Sequence, residues 1–298
     1  MQSALLTGAN GFLGKEILKV LKDSFEVKTL GLNPENDYIT DLAKTDPIFT
    51  QSFDLVVHCA AVLPGQNGKN SNDFLHVNED GTRRICEALD RTEKYPQQFV
   101  FISTVAVYGA ISGENITEDA PLNGYTPYAK SKLAAEKIII DWCRRHCVTS
   151  TILRLPLVAG ENAKGNIAAM IKAIHKHRFF LIGSGSARKS MVLAADVAAF
   201  IPKIASFGGI YNLTDGEHPS FNDFAAVVSR QLNKKAPPHL PLWICRLLAA
   251  AGNVFGAKFP FNRKVLLQLT SSLTFNDDRA RKTAGWNPRP VLKFFRIN

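Results

Sequence analysis

Five apolar runs of strand length punctuate the first half of the chain: 3–7 (SALLT), 26–32 (EVKTLGL), 54–60 (DLVVHCA), 98–104 (QFVFIST) and 149–155 (TSTILRL). Between them, apolar residues recur at helical spacing over 11–23, 73–91 and 126–146. Strands this uniformly apolar have both faces covered, and strand–helix–strand alternation builds a parallel sheet. The pattern predicts an α/β fold, a doubly wound parallel sheet over residues 1–160. Such sheets bind ligands beyond the carboxyl ends of their strands, so the loops there should carry the chemistry.

Beyond about residue 157 the pattern loosens. It predicts helices at 166–177 and 195–205, strands at 179–183, 190–194 and 209–213, and a helix opened by Ser220 with Asp223 three residues on, a capping-box spacing. The tail, 237–298, holds helical apolar segments. Residues 161–298 are therefore expected to form mainly a smaller cap, with the strands near 190–194 and 209–213 returning to the core or its edge.

Gly8, Gly11 and Gly14 follow the first strand and open the first helix. Glycine lacks a Cβ, so a pyrophosphate can approach the exposed N–H groups of a helix N-terminus there. The spacing, Gly-x-x-Gly-x-x-Gly, differs from the Gly-x-Gly-x-x-Gly of dehydrogenases, but the strand–turn–helix setting is the same Rossmann-type arrangement. Where an acidic residue would bind the adenosine ribose, the second strand ends in Asn33. No Arg follows to grip a 2′-phosphate, which favours NAD and leaves NADP open.

The segment GYTPYAKSK (124–132) carries the candidate proton chemistry. Thr126 reads as an N-cap and Pro127 as the first helical residue, so Tyr128 and Lys132 share one helix face. A free phenol titrates near ~10. A neighbouring ammonium and the positive helix end should lower that value and fit Tyr128 to exchange protons with a substrate hydroxyl. Ser103 and Thr104, ending the run 98–104, supply a group to hold the substrate oxygen.

Composition narrows the partners. The chain is 298 residues, 46% hydrophobic and 21% charged, with a formal charge of +10. Its Lys and Arg are spread out and not interleaved with aromatics, which argues for a phosphorylated small molecule and against nucleic acid. No apolar run reaches the ~20 residues of a membrane span. The segment 240–256, interrupted by Arg246, reads as a buried or surface-docked helix rather than a membrane attachment. The N-terminus resembles no targeting peptide. Five cysteines with scattered spacing read as reduced thiols, Cys143 and Cys147 lack a second ligand pair, and a cytoplasmic protein without metal is expected. His58 reads as a satisfied core histidine. Asp196 should cap or buttress the helix that follows, with a substrate role as the secondary reading, and Trp142, Trp243 and Trp286 should fill cores or helix contacts.

Taken together, the ordered motifs resemble the extended short-chain dehydrogenase/reductase superfamily, in its nucleotide-sugar epimerase/dehydratase branch, over nearly the whole chain. By that resemblance TGANGFLG (7–14) is the cofactor turn, with Gly8, Asn10, Gly11, Phe12, Leu13 and Gly14 against the dinucleotide. Asn33 joins them at the ribose, TDL (40–42) implies Asp41 and Leu42 at the adenine, and VVHCAA (56–61) implies Ala60 and Ala61 along the cofactor. VNEDGT (77–82) implies the motif's structural asparagine, Asn78, among the cofactor-binding residues. STVAVYG (103–109) places Ser103 beside the cofactor and Thr104 in the catalytic Ser/Thr position, while YAKSK gives Tyr128 and Lys132. LRLPLVAGEN (153–162) implies Pro156 beside the nicotinamide and Leu157 beside the substrate. Asn166 of KGN (164–166) and Lys189 or Arg188 of ARKSMVLAADVA (187–198) are the further substrate contacts. The resemblance also implies a sugar nucleotide bound between the sheet domain and the substrate-binding cap, and homodimers through helices at 73–91 and 127–146.

Departures from the family pattern sharpen the reading. Val105 and Ala106 stand where family dehydratases carry an Asp-Glu pair, which argues against dehydration. Lys189 replaces a usual Arg, a point charge in place of a fork. KGN (164–166) and the tail LTFNDDRARKTAGWNP (273–288) resemble bacterial enzymes acting at C4 of nucleotide sugars. That resemblance implies C4 redox chemistry on a nucleotide-linked hexose: NAD-dependent epimerisation of a UDP-hexose or related sugar, or NAD(P)H-dependent reduction of a 4-keto-6-deoxy sugar in polysaccharide biosynthesis. A non-catalytic NAD(P)-binding regulator is the alternative from another class.

Overall fold

The computed structural model describes residues 1–64, 71–255 and 261–297. In chain order it runs β1 (Gln2–Thr7), α1 (Phe12–Leu21), β2 (Phe25–Gly31), β3 (Tyr38–Ile39), β4 (Leu55–His58), a short α2 (Ser71–Asp73) and a π-helical stretch (Phe74–Asp80). Then come α3 (Gly81–Leu89), β5 (Gln98–Thr104), a 3₁₀ turn (Val105–Tyr108), β6 (Gly113–Ile116), α4 (Pro127–Arg145), β7 (Thr149–Leu155) and β8 (Leu157–Ala159). The rest comprises α5 (Gly165–His175), β9 (Leu181–Ile182), β10 (Met191–Leu193), α6 (Ala194–Ile204), β11 (Gly209–Asn212) and α7 (Phe221–Gln231). It closes with β12 (His239–Leu240), α8 (Leu242–Phe255), α9 (Arg263–Thr270), β13 (Leu273–Phe275) and short helices at Asp278–Ala284 and Val291–Phe294.

Seven strands form one parallel sheet in the order β11-β7-β5-β4-β1-β2-β3. Successive strand residues point to opposite faces, and both faces are apolar. Leu6, Val57, Val100 and Leu153 pack under α1 and α6, whereas Leu5, Val56, Phe101 and Ile152 pack under α3 and α4. The five long runs therefore read as apolar throughout, and β5 and β7 fall on the residues expected of them. β11 returns to the sheet edge beside β7; β10 instead pairs with β8 in a separate two-stranded sheet.

The helix expected over 73–91 is continuous but not regular, since Phe74–Asp80 is wound as a π-helix. Gly81 follows it, where a Cβ would meet Leu42 Cβ at 3.1 Å, so its absence lets α3 close on the loop after β3. Ser220 and Asp223 make the full capping box at α7. Trp142 and Trp286 are buried, but Trp243 is 64% exposed, contrary to expectation. Among the described residues α8 turns Cys245 and Ala249 deeply inward, against Leu266 of α9, which leaves the Trp243 face outside. Among the described residues no helix is long and apolar enough to cross a membrane, and no cluster of His, Cys, Asp and Glu could hold a metal ion.

Candidate active site

The carboxyl ends of β1, β2, β4, β5 and β7 open into one cleft of about 1290 Å³. Its floor is the glycine turn. Gly8 takes a left-handed conformation, φ +73°, and its N–H donates to Leu30 O. A Cβ on Gly14 would lie 2.0 Å from Gly8 O, and one on Gly8 would lie 2.7 Å from Ala60 N. No side chain caps the N-terminus of α1, so its first N–H groups stay available to an anion. This bare, positively polarised cradle fits the pyrophosphate of NAD.

Along the adenosine side, Asn33, Asp41 and Leu42 line the cleft together with Leu32 and Lys44. Asn33 Oδ1 already accepts from Glu35 N at 2.9 Å, leaving its amide nitrogen as the outward group. Asn36 was not singled out by the sequence. Only 6% exposed, it donates from Nδ2 to Asn10 Oδ1 at 2.8 Å and to Asn33 O at 2.7 Å, so it ties this loop to the glycine turn. The only sequence sign of it is its place in an Asn-Pro turn.

At the other end stand Thr104, Tyr128 and Lys132, all lining the cleft with Ala60, Ala61, Pro156, Leu157, Asn166 and Lys189. Thr104 ends β5, and its Oγ1 accepts from Ala106 N at 3.2 Å, which starts the 3₁₀ turn. Thr126 caps α4 by accepting from Ala129 N, and Pro127 is the first helical residue. Tyr128 follows, edge-on to Phe74.

The electrostatics differ from the expectation. Burial pushes the Tyr128 phenol up to about 12, against a hydrogen bond with Thr104 that favours the phenolate. Burial likewise drags the Lys132 ammonium down to about 7. Its Nζ donates to Ile102 O at 2.7 Å and sits 3.8 Å above the Phe101 ring. Helical spacing places two residues on one face, but it says nothing about the desolvation that dominates here. At neutral pH the resting phenol holds its proton.

Behind these groups lies a buried ion pair that sequence reading missed. Arg154, on β7, forks onto Glu136 with contacts of 3.1 and 2.7 Å; the two side chains are 1% and 4% exposed. Glu136 also accepts from Ser103 Oγ. Arg154 Nη1 donates to Tyr108 Oη at 3.1 Å, and Tyr108 in turn donates to Asn212 Oδ1 at 2.8 Å. The spacing Tyr128, Lys132, Glu136 puts all three on one face of α4, a signal present in the sequence. Ser103 lines the wall, but its hydroxyl is committed to Glu136.

Two expected contacts lie elsewhere. Asn78 is not among the lining residues: it bonds Val62 N and O at 2.8 and 3.2 Å and Ser131 Oγ at 3.1 Å, joining the loop after β4 to α4. Arg188 points into a loop, donating to His218 O and Glu217 O. Of the two basic candidates only Lys189 reaches the cleft. Its Nζ is held by Gln268 O at 2.9 Å and Ser271 O at 2.8 Å, and burial lowers it to about 8. His58 is a core residue, spanned by Thr7 and Thr82 and driven down to about 3 by burial. Asp196 pairs with Arg289 at 2.6 Å.

The chain is 30% identical over 253 residues to the N-acetyl-alpha-D-glucosaminyl-diphospho-ditrans,octacis-undecaprenol 4-epimerase of Escherichia coli O157:H7, covering 80% of this chain and 75% of that protein. It is 26% identical to the UDP-glucose 4-epimerase of Vibrio cholerae, covering 98% of this chain and 92% of that one. Its fold matches the UDP-glucuronic acid 4-epimerase of Bacillus cereus in complex with NAD, with a TM-score of 0.72 over 97% of this chain and 92% of the other at 21% identity. A family model, "NAD dependent epimerase/dehydratase family", matches residues 4–213, which include the glycine turn, Thr104, Tyr128 and Lys132. The cradle at the helix N-terminus, the Thr-Tyr-Lys group at the far end of the same cleft and this match agree: the chain belongs to the NAD dependent epimerase/dehydratase family.

Proposed function

We propose that the protein inverts C4 of a hexose carried on a diphosphate, through a transient 4-keto sugar. The observation carrying this reading is the convergence of Thr104, Tyr128 and Lys132 on one cleft wall, with Val105 and Ala106 in place of groups that could expel water. Bound NAD supplies the hydride acceptor and then donor, and its oxidised ring adds a positive charge. Thr104 holds the C4 oxygen. Tyr128 takes the hydroxyl proton as hydride leaves C4 and returns it once the keto sugar has turned over. Moving the phenol from about 12 to neutrality needs about 7 kcal/mol of preferential phenolate stabilisation at about 1.4 kcal/mol per pH unit. Lys132 contributes by recovering its proton and turning from Ile102 O toward the cleft.

Sugar and diphosphate lie toward the cap side, where Asn166 and Lys189 line the cleft. The relatives support a diphosphate link without fixing its other end: the E. coli protein is named for an undecaprenol-linked sugar and the V. cholerae one for UDP-glucose. The protonated resting phenol favours one second reading, reduction of a 4-keto sugar with Tyr128 as proton donor.

Both readings are tested with UDP-, GDP- and dTDP-hexoses and polyprenyl-diphosphate hexosamines, incubated with and without NAD(P)H and followed by NMR. C4 inversion without added reductant supports epimerisation. Reduction of a 4-keto substrate only with added reductant supports the second reading, and no product in any arm overturns both. Tyr128→Phe should lose turnover by about 10²–10⁴-fold while NAD affinity stays within about twofold; near-normal turnover would refute the role of Tyr128.

A further inference from the structure

α8 and α9 pack on each other through Cys245, Ala249 and Leu266. Among the described residues the outer face of α8 is largely apolar where a solvated helix would be polar, and α9 adds exposed leucines among polar neighbours. Trp243 and Leu247, one turn apart on α8, are each 64% exposed, and neighbouring Leu248 is 43% exposed. Leu267 on α9 adds to the same pair of helices, at 39%. None of these side chains is needed for the inward packing of the pair.

The charge of the region has one sign. Residues 224–276 contain seven Lys or Arg and no Asp or Glu. Arg246, Arg263 and Lys264 are exposed on the two helices, and among the described residues none of them pairs with a carboxylate. Lys264 Nζ lies 4.0 Å above the ring of Tyr125, itself 42% exposed at the cleft. Exposed Trp and Leu bordered by basic residues, with carboxylates excluded over more than fifty positions, match an anionic lipid surface: apolar groups enter the acyl boundary while cations meet headgroup phosphates. A nucleic acid would use the charge but leave Trp243, Leu247 and Leu248 in water.

We propose that the α8–α9 pair docks on an anionic bilayer surface. This reverses the sequence expectation for 240–256 on its outer face, since the segment attaches by lying on the membrane and not by crossing it. α9 also forms a rim of the cleft, through Gln268 and Leu269, so docking brings the cleft mouth to headgroup level. A diphosphate-linked sugar anchored in the same membrane would be presented there. That consequence rests on the diphosphate-sugar reading above, whereas docking itself does not.

The test is co-sedimentation of the full chain with vesicles of phosphatidylglycerol and phosphatidylcholine, against pure phosphatidylcholine, at low ionic strength. Binding is expected on the anionic vesicles and weaker on the neutral ones. The triple variant Trp243→Ser, Leu247→Ser, Leu248→Ser should fold normally, with unchanged turnover of a soluble substrate, and bind at least about tenfold less tightly. Arg246→Gln, Arg263→Gln and Lys264→Gln should each cost about fivefold on anionic vesicles. The proposal is overturned if the chain ignores anionic vesicles, or if the triple Ser variant binds as well as the parent. It also fails if analytical ultracentrifugation finds a dimer that the triple variant dissolves while vesicles capture nothing, because the occupant would then be a second copy. Loss of vesicle binding leaves the chemistry standing, and loss of C4 chemistry leaves docking standing.

Discussion

Replacing Lys132 by Met should yield a protein that is more stable at neutral pH and inactive. The lysine is 2% exposed, and burial draws its pKa from 10.5 to about 7. At about 1.4 kcal/mol per pH unit, holding the ammonium there opposes folding by about 5 kcal/mol whenever the pH is below that of the folded group. Met occupies similar volume without a charge. It forfeits the bond to Ile102 O, about 1 kcal/mol plus the cost of an unmet carbonyl, so the net gain is about 2–4 kcal/mol. The sign follows from proton counts. Between pH 7 and 10.5 the unfolded chain binds more protons than the folded one, so the parent gains stability as pH rises through that window. The advantage of the variant is therefore largest and flat below pH 7, shrinks above it and crosses zero between about pH 8.5 and about pH 10. It is reversed by about pH 10.5, where only the lost bond to Ile102 O separates the two proteins. Urea unfolding of both proteins at pH 6, 7 and 9 measures this directly. A variant less stable than the parent at pH 6, or a difference independent of pH, would refute the reasoning and make Lys132 a structural residue. A gain in stability with loss of turnover marks a group kept against the interest of the fold.

Two further outcomes follow from the same geometry. Gly14→Ala must place a methyl group 2.0 Å from Gly8 O and 3.0 Å from Ala9 Cα, against backbone that cannot rotate aside. NAD affinity measured by calorimetry should fall at least about tenfold and stability by about 1–3 kcal/mol, and parental affinity would contradict the cradle. Glu136→Gln leaves Arg154 charged and buried and should cost about 3–5 kcal/mol in urea unfolding. The double replacement Glu136→Met, Arg154→Met should recover most of it, and a single-variant loss below about 1 kcal/mol would show that the pair is not desolvated as described.

The long strands and the glycine turn were legible because burial on both faces writes an uninterrupted apolar run, and because close backbone packing admits only glycine at Gly8 and Gly14. The start of α4 was legible for a similar reason, since Thr126 and Pro127 act locally. Strands of two residues such as β3 and β12 are shorter than any period that could reveal them, whereas β9 falls within the apolar run 179–183. Asn36, Glu136 and Arg154 act through partners far away in sequence, so their types and positions carry no local mark beyond the i+4 step from Lys132. The direction of the Tyr128 shift was misjudged because spacing along a helix gives proximity but not solvent exposure. Trp243 was assigned to a core on its composition alone, although one helix face can be apolar for reasons unrelated to the interior.

β11 has a consequence for how the chain is made. The strand that completes the sheet, and the Asn212 that receives Tyr108, come from beyond α5 and α6, after more than fifty residues spent outside the sheet. A ribosome that has released only the first 160 residues holds a sheet whose β7 edge is open and an Arg154 still missing one arm of its polar relay. Such an edge is a template for pairing with other chains. Synthesis thus passes through an interval in which Thr104, Tyr128 and Lys132 exist but their scaffold is unfinished, and a fragment ending near residue 160 should aggregate where one extended past 212 stays soluble.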